Sequence, residues 1–220
     1  MDALRKAWWF VRSAPLTYAW LIVLGCTTAI EQGLNRRQLH HLLVHRSTNL
    51  HHLGTDPIKV LIESLLWING RHWLAYVAYV VIFTVFVAPA EHWLGWRRWL
   101  AVGLIAHVVA TYLSEGVLYL RIELGTARES LVNVTDIGVS YFVVGLVAVL
   151  AYHITVPWRW AYIAAVLVTF TVALVCRSGF TGLGHLFAVA IGLCCYPLTR
   201  GRGGPWDPGS VLDRLRRASA

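Results

Sequence analysis

Charge is scarce in this chain: Asp, Glu, Lys and Arg together make up 14% of its 220 residues, against about a quarter in an average soluble domain. A water-soluble core of that size cannot hide the 57% of residues that are hydrophobic, which excludes a soluble domain. Lysine is almost absent. Of 19 basic residues only Lys6 and Lys59 are lysines, an arginine bias that suggests a GC-rich bacterial genome. The four cysteines form no framework: Cys26, Cys194 and Cys195 fall inside apolar runs and Cys176 ends one. With no CxxC or Cys/His ligand spacing, structural zinc is not expected and the thiols read as buried and free. No small-residue site closes the first apolar run after Arg5, Lys6 and Arg12, so a cleavable leader is not expected. No Pro/Gly/Ser-rich linker, low-complexity tract or fixed-period repeat divides the chain, which reads as one domain.

What remains is apolar sequence in membrane-sized pieces, with a mean hydropathy of +0.59. A spanning helix takes roughly 20 apolar residues. Six stretches come close, from about Leu16–Ile30, His72–Ala90, Trp99–Leu120, Ile137–Ile154, Trp160–Cys176 and Phe180–Leu198. Pro15 stands at a helix-opening position before the first. Trp73, Trp93, Trp96, Trp99, Trp158 and Trp160 mark many ends, as interfacial aromatic belts do. The expected fold is an all-α membrane protein of six transmembrane helices.

The net charge of +8 sits in clusters that flank these runs, which fits topology signals rather than nucleic-acid binding. An even number of spans puts both termini on one side. That side then holds Arg5, Lys6, Arg12, Arg97, Arg98, Arg159, Arg200, Arg202, Arg214, Arg216 and Arg217. The other holds Arg36, Arg37, Arg46, Lys59, Arg71, Arg121, Arg128 and Arg177, most of them in one long loop, which counts less. Both termini are therefore expected in the cytoplasm. The division expected is a cytoplasmic N-terminus at 1–15, a membrane domain at 16–198 and a basic cytoplasmic tail at 199–220.

The long first outer loop, about Glu31 to Arg71, carries His40, His41, His45, His51 and His52. A structureless loop of that length is unusual, so short amphipathic helices at the outer membrane surface are expected. The histidines have no carboxylate spacing of the kind zinc enzymes use, and no metal or other cofactor is expected.

An ionisable side chain inside a span costs at least about 2.5 kcal/mol and so raises a functional question. The third run holds His107 and Glu115, the fourth Ser140, the sixth His185, and the second His72, Tyr76 and Tyr79 on one helical face. A lone membrane serine usually bonds its own backbone, and a lone histidine is usually a packing partner. Depth links two of them. Ser140 follows Asp136, an expected N-cap, by four residues, which is about one turn or ~5–6 Å. His185 follows Phe180 by five, entering from the same side. If the fourth and sixth helices touch, serine and histidine meet in a shallow outward-facing cavity. Gly184, Ala188 and Gly192 form a small-residue stripe beside His185, and Gly138, Gly145 and Ala148 lie on the fourth helix.

These features resemble the rhomboid family of intramembrane serine proteases. Gly138-Val139-Ser140 is similar to its Gly-x-Ser, and Gly184-His185 with Ala188 and Gly192 to its helix-six histidine and following small residues. Glu91 with Leu94-Gly95 is similar to its Glu-x-x-Leu-Gly ending, and the long first loop matches in position and size. The resemblance implies a six-helix rhomboid-like bundle with Ser140 as nucleophile and His185 as general base. Its partners would be the lipid bilayer and transmembrane protein substrates, in a bacterial plasma membrane, with no nucleic acid. The chain departs from the family at Tyr141, where Gly is usual, and at Val144, where an aromatic often lies beneath the histidine. The helix-two His-x-x-x-Asn oxyanion pair is also missing, with Ala75 and Tyr79 at its register positions. Tyr79, or Tyr76, is the candidate substitute donor. The alternative is an inactive rhomboid-like pseudoprotease that binds or escorts transmembrane helices, as derlin-type relatives are thought to do.

Overall fold

The structure, a computed structural model, describes residues 2–68, 73–177 and 180–210; Arg71, His72, Arg214, Arg216 and Arg217 lie outside them. An amphipathic helix α1 (Asp2–Ser13) leads into α2 (Pro15–Gln32), opened by Pro15 at its first position. Three short helices follow, α3 (Arg36–His45), α4 (Leu50–Thr55) and α5 (Pro57–Glu63). The second apolar run becomes α6 (Trp73–Ile82) and α7 (Ala88–Leu94), joined without a break by one π-helical turn, Phe83–Val87. Then come α8 (Trp96–Glu123), α9 (Val139–Val149), α10 (Trp158–Arg177) and α11 (Phe180–Cys194). Among the described residues, Trp73–Leu94, Trp96–Glu123 and Trp158–Cys176 are long and apolar enough to cross a membrane, and Val139–His153 and Phe180–Cys194 are shorter apolar helices.

The π turn has a cause in sequence. Pro89 lies inside the continuous Trp73–Leu94 helix. Its ring crowds the carbonyl four residues earlier and it lacks an N–H, so the preceding turn widens.

Helix α9 is the centre of the bundle. Its sequence is apolar all round, the pattern of a helix with no solvent or lipid face, and every residue from Tyr141 to Ala151 is buried. It packs between α8 and α11, and small residues set the spacing. A Cβ on Gly145 would overlap the Cβ of Ala106 in α8, and one on Gly192 in α11 would overlap the Gly145 carbonyl. Helix α10 lies at the rim and exposes Val168, Val172 and Val175. Apolar positions on membrane helices also face outward, which corrects the reading of the thiols. Cys26, Cys176 and Cys194 are exposed, and only Cys195 is buried.

Glu91 ties α7 to the start of α2. Its carboxylate is buried and accepts hydrogen bonds from the backbone N–H of Leu16 at 3.0 Å and of Thr17 at 2.7 Å, and from the Thr17 hydroxyl at 2.6 Å. These are the orphan donors of the first turn of α2, where a negative charge is favoured. Glu91→Ala should therefore lower stability by about 2–4 kcal/mol, read as a fall in thermal midpoint in detergent. An unchanged midpoint would show that the cap contributes nothing.

The two ends of the bundle are distinct. Arg98 donates to the carbonyls of Leu198 at 3.0 Å and Arg200 at 2.7 Å, and Thr155 N–H to Trp206 at 3.0 Å. The turn at Gly95, the turn after His153 and the C-terminal segment thus share one end. The first loop packs along α8 between these ends: His107 Nε2 on α8 donates to Leu61 O of α5 at 3.0 Å, and Trp20 Nε1, one turn into α2, donates to Leu65 O at 2.8 Å. Ile58, Ile62 and Leu66, four residues apart, are exposed, and Ile62 and Leu66 share an apolar cleft with Leu16, Trp99 and Leu100.

Candidate functional site

Ser140 is the second residue of α9 and His185 the sixth of α11. Because α9 and α11 pack closely along their small residues, the two side chains meet. Ser140 Oγ lies 3.0 Å from His185 Nε2, within hydrogen-bond range. The hydroxyl also lies 3.5 Å from the Ile137 carbonyl. Both residues are half-buried, so the pair sits at the edge of the core rather than inside it.

Two rings bracket the imidazole. Tyr141 approaches edge-on, with centroids 5.2 Å apart and planes at 74°, and Phe170 of α10 lies 5.5 Å away at 39°. The aromatic neighbour that Val144 does not supply therefore comes from Tyr141 and from α10. Gly184 makes room for it, since a Cβ there would overlap the Tyr141 ring. The tyrosine beside the serine and the glycine beside the histidine are complementary. Gly138 is closed in the same way by His107 and Ser64.

Asp136 is not the N-cap of α9. The capping position is Gly138, with no side-chain hydrogen bond. The Asp136 carboxyl instead accepts from the Tyr141 hydroxyl at 3.2 Å on Oδ1 and from the Thr48 hydroxyl at 3.5 Å on Oδ2. Its backbone is held by the first loop: its N–H donates to Ser47 Oγ, and its carbonyl accepts from Ser47 Oγ at 2.9 Å and Thr48 N at 3.0 Å. Asp136 lies ahead of the helix, and burial pushes its carboxyl up to about 7 against the downward pull of the Tyr141 and Thr48 hydrogen bonds. The folded chain then keeps a proton that the unfolded chain releases near pH ~4. This group's contribution to stability falls as pH rises from about 4 to about 7. Asp136→Asn removes that loss, so its thermal midpoint relative to wild type should climb across the same window and level off above it. A difference flat with pH would contradict this.

Helix α8 presents a buried polar seam behind the site. His107, Thr111 and Glu115 recur every four residues at 0–1% exposure, and among the described residues His107 Nδ1, Thr111 Oγ1 and both Glu115 carboxyl oxygens have no hydrogen-bond partner. Buried polar groups of this kind are ordinarily satisfied by ordered water.

The helix-two tyrosines are not joined to the pair. The Tyr76 hydroxyl donates to Leu21 O at 3.1 Å and its ring closes on Gly25, turning it toward α2. Tyr79 packs near Phe83, ring centroids 6.1 Å apart. Among the described residues no hydrogen bond joins either hydroxyl to Ser140. Of the remaining motif residues, Gly184, Ala188 and Gly192 are buried on α11, and Glu91 serves α2. The Asp136–Tyr141 bond and the Phe170 ring are not legible in the sequence, where the one signal for the first is a tyrosine five residues after an aspartate that precedes an apolar run.

The fold is a membrane-embedded helical bundle in which a short central helix brings a serine to a histidine on its neighbour. The chain belongs to the rhomboid-like protein family, whose model matches residues 9–205. No curated protein and no solved structure matches it.

Proposed function

We propose that this rhomboid-like membrane protein is an intramembrane serine endopeptidase that cuts membrane-anchored proteins near their outer ends. The observation that carries the reading is the 3.0 Å approach of Ser140 Oγ to His185 Nε2. In this reading Nε2 takes the hydroxyl proton as Oγ attacks the scissile carbonyl, then returns it to the leaving amine. The developing oxyanion faces the backbone N–H of Ser140 in the first turn of α9, the N–H groups of Tyr141 and Phe142 being taken by the Gly138 carbonyl. Tyr79 is the candidate side-chain donor, since the Tyr76 hydroxyl is committed to Leu21. The polar seam of His107, Thr111 and Glu115 offers a store of water for hydrolysis of the acyl-enzyme. The membrane domain spans 16–198 and lies in a bacterial plasma membrane. The end carrying Arg97, Arg98 and the basic tail faces the cytoplasm, and the end carrying Asp136 faces out.

A second reading has its own support: the helix-two donors are missing, which favours a pseudoprotease that captures transmembrane helices without cutting them. Purified protein in liposomes, given a panel of single-span substrates, separates the two. The protease reading expects cleavage near the outer end of the span. Tyr79→Phe should lower turnover about 10²–10³-fold while leaving capture intact. Wild type that binds the panel and cuts none of it would transfer the site to the second reading. Cleavage untouched by Tyr79→Phe would leave the dyad and remove Tyr79 from it.

A further inference from the structure

Tyr141 is the residue at which this chain leaves the serine motif, and it is fully buried. A tyrosine hydroxyl placed in a membrane bundle must find an acceptor or forfeit several kcal/mol's worth of hydration. Here the acceptor is Asp136 Oδ1 at 3.2 Å, five residues earlier in the chain. The two ends of the Tyr141 side chain therefore do different things. The hydroxyl is fixed to a carboxyl, and the ring edge abuts the imidazole of His185 at a centroid distance of 5.2 Å.

Asp136 is itself held from outside the helix. Ser47 and Thr48, both at 0% exposure, grip its N–H, its carbonyl and its Oδ2. A continuous line of contacts thus runs from the first loop through Asp136 and Tyr141 to His185. The imidazole also meets the ring of Phe170 on α10, a helix with no buried residue in its Trp158–Cys176 window. The Tyr141 wall is anchored through its hydroxyl to Asp136.

We propose that Asp136 is a positioning residue for His185, acting through the tethered ring of Tyr141 so that Nε2 stays aimed at Ser140. A dyad needs its base held within about 0.5 Å of the productive geometry by groups that are themselves locked. The tether supplies that lock without the carboxylate touching the histidine. It also makes the docking of the first loop on Asp136 a condition of the histidine's alignment.

The inference rests on the protease reading for its kinetic test, and a spectroscopic arm frees it from that reading. In liposomes, Asp136→Leu and Tyr141→Phe should each lower kcat about 10–100-fold with KM unchanged, the loss expected when a reacting group is slightly misaimed. The double variant should be no worse than the poorer single, because both cut one tether. Asp136→Asn keeps an oxygen that can accept from the Tyr141 hydroxyl and should recover most of the lost turnover. The second arm uses Ser140→Ala protein, in which no cleavage is asked for. The ¹⁵N and ¹H signals of the His185 imidazole should move in the same direction on adding Tyr141→Phe or Asp136→Leu, and stay near their starting positions with Asp136→Asn. If wild type does not cleave but these signals move, the protease reading fails and the positioning role stands. Tyr141→Phe protein that melts lower yet keeps wild-type kcat and imidazole signals would overturn the proposal and leave the tether purely structural. Asp136→Asn as impaired as Asp136→Leu would overturn the hydrogen-bond tether as its basis.

Discussion

Replacing Ser140 by Ala is expected to abolish cleavage, and replacing His185 by Ala to do nearly the same. In the proposed mechanism the serine provides the attacking oxygen and the histidine removes its proton, so neither has a function without the other. Losses of about 10⁴–10⁶-fold in turnover are typical when one member of such a unit is removed. The two losses should not add. Ser140→Ala/His185→Ala should be as inactive as Ser140→Ala alone, since the 3.0 Å contact joins them into one device. Substrate capture should survive in all three, because neither side chain belongs to the small-residue packing that builds the bundle. Turnover measured in liposomes, with capture measured separately by crosslinking, checks both halves. Cleavage persisting in Ser140→Ala would remove the serine mechanism.

Gly192→Leu should be the most damaging change to the fold. Even the first added carbon would overlap the Gly145 carbonyl and come within 2.8 Å of the Ala148 Cβ. Overpacking ordinarily costs about 1–3 kcal/mol when side chains can yield. Here the obstacle includes backbone of the buried central helix, so a loss of more than about 3 kcal/mol is expected. Gly184→Leu should act differently, because a Cβ there meets the Tyr141 ring; it should disturb the histidine's wall as well as the packing. Gly116→Ala is the matched control. It lies on α8, where an added Cβ meets nothing within 4 Å, and should be neutral or slightly stabilising. Thermal unfolding in detergent distinguishes them, and an unchanged midpoint for Gly192→Leu would show that α11 does not press on α9 there.

How much of this is legible in the sequence depends on how far apart the interacting residues lie. Helix positions are legible because a span is a contiguous apolar run, and the six expected runs fall on α2, α6–α7, α8, α9, α10 and α11. The meeting of Ser140 with His185 is legible because depth in a membrane helix can be counted from its outer end, and the small residues announce close approach. The partner of Glu91 is not, since Thr17 lies 74 residues away and nothing local pairs them. Asp136 misleads for a related reason. Local rules make it a helix cap, but the side chain is drawn off by Thr48, 88 residues distant, and by Tyr141, whose position only the packing of α9 on α11 determines. The tyrosines of the second run share a face as periodicity requires, yet periodicity alone does not say which neighbour that face meets. The hydroxyl of Tyr76 meets Leu21 of α2.

The central claim, an activated serine at the head of α9, is tested most directly by a fluorophosphonate probe, which reacts with a serine only when a base has raised its nucleophilicity. On intact, membrane-reconstituted wild type, mass spectrometry should find the adduct on Ser140, and His185→Ala should lose it while keeping the fold. Wild type that remains unlabelled at Ser140 under conditions that label an active serine hydrolase, or labelling that survives His185→Ala at full rate, would contradict the account.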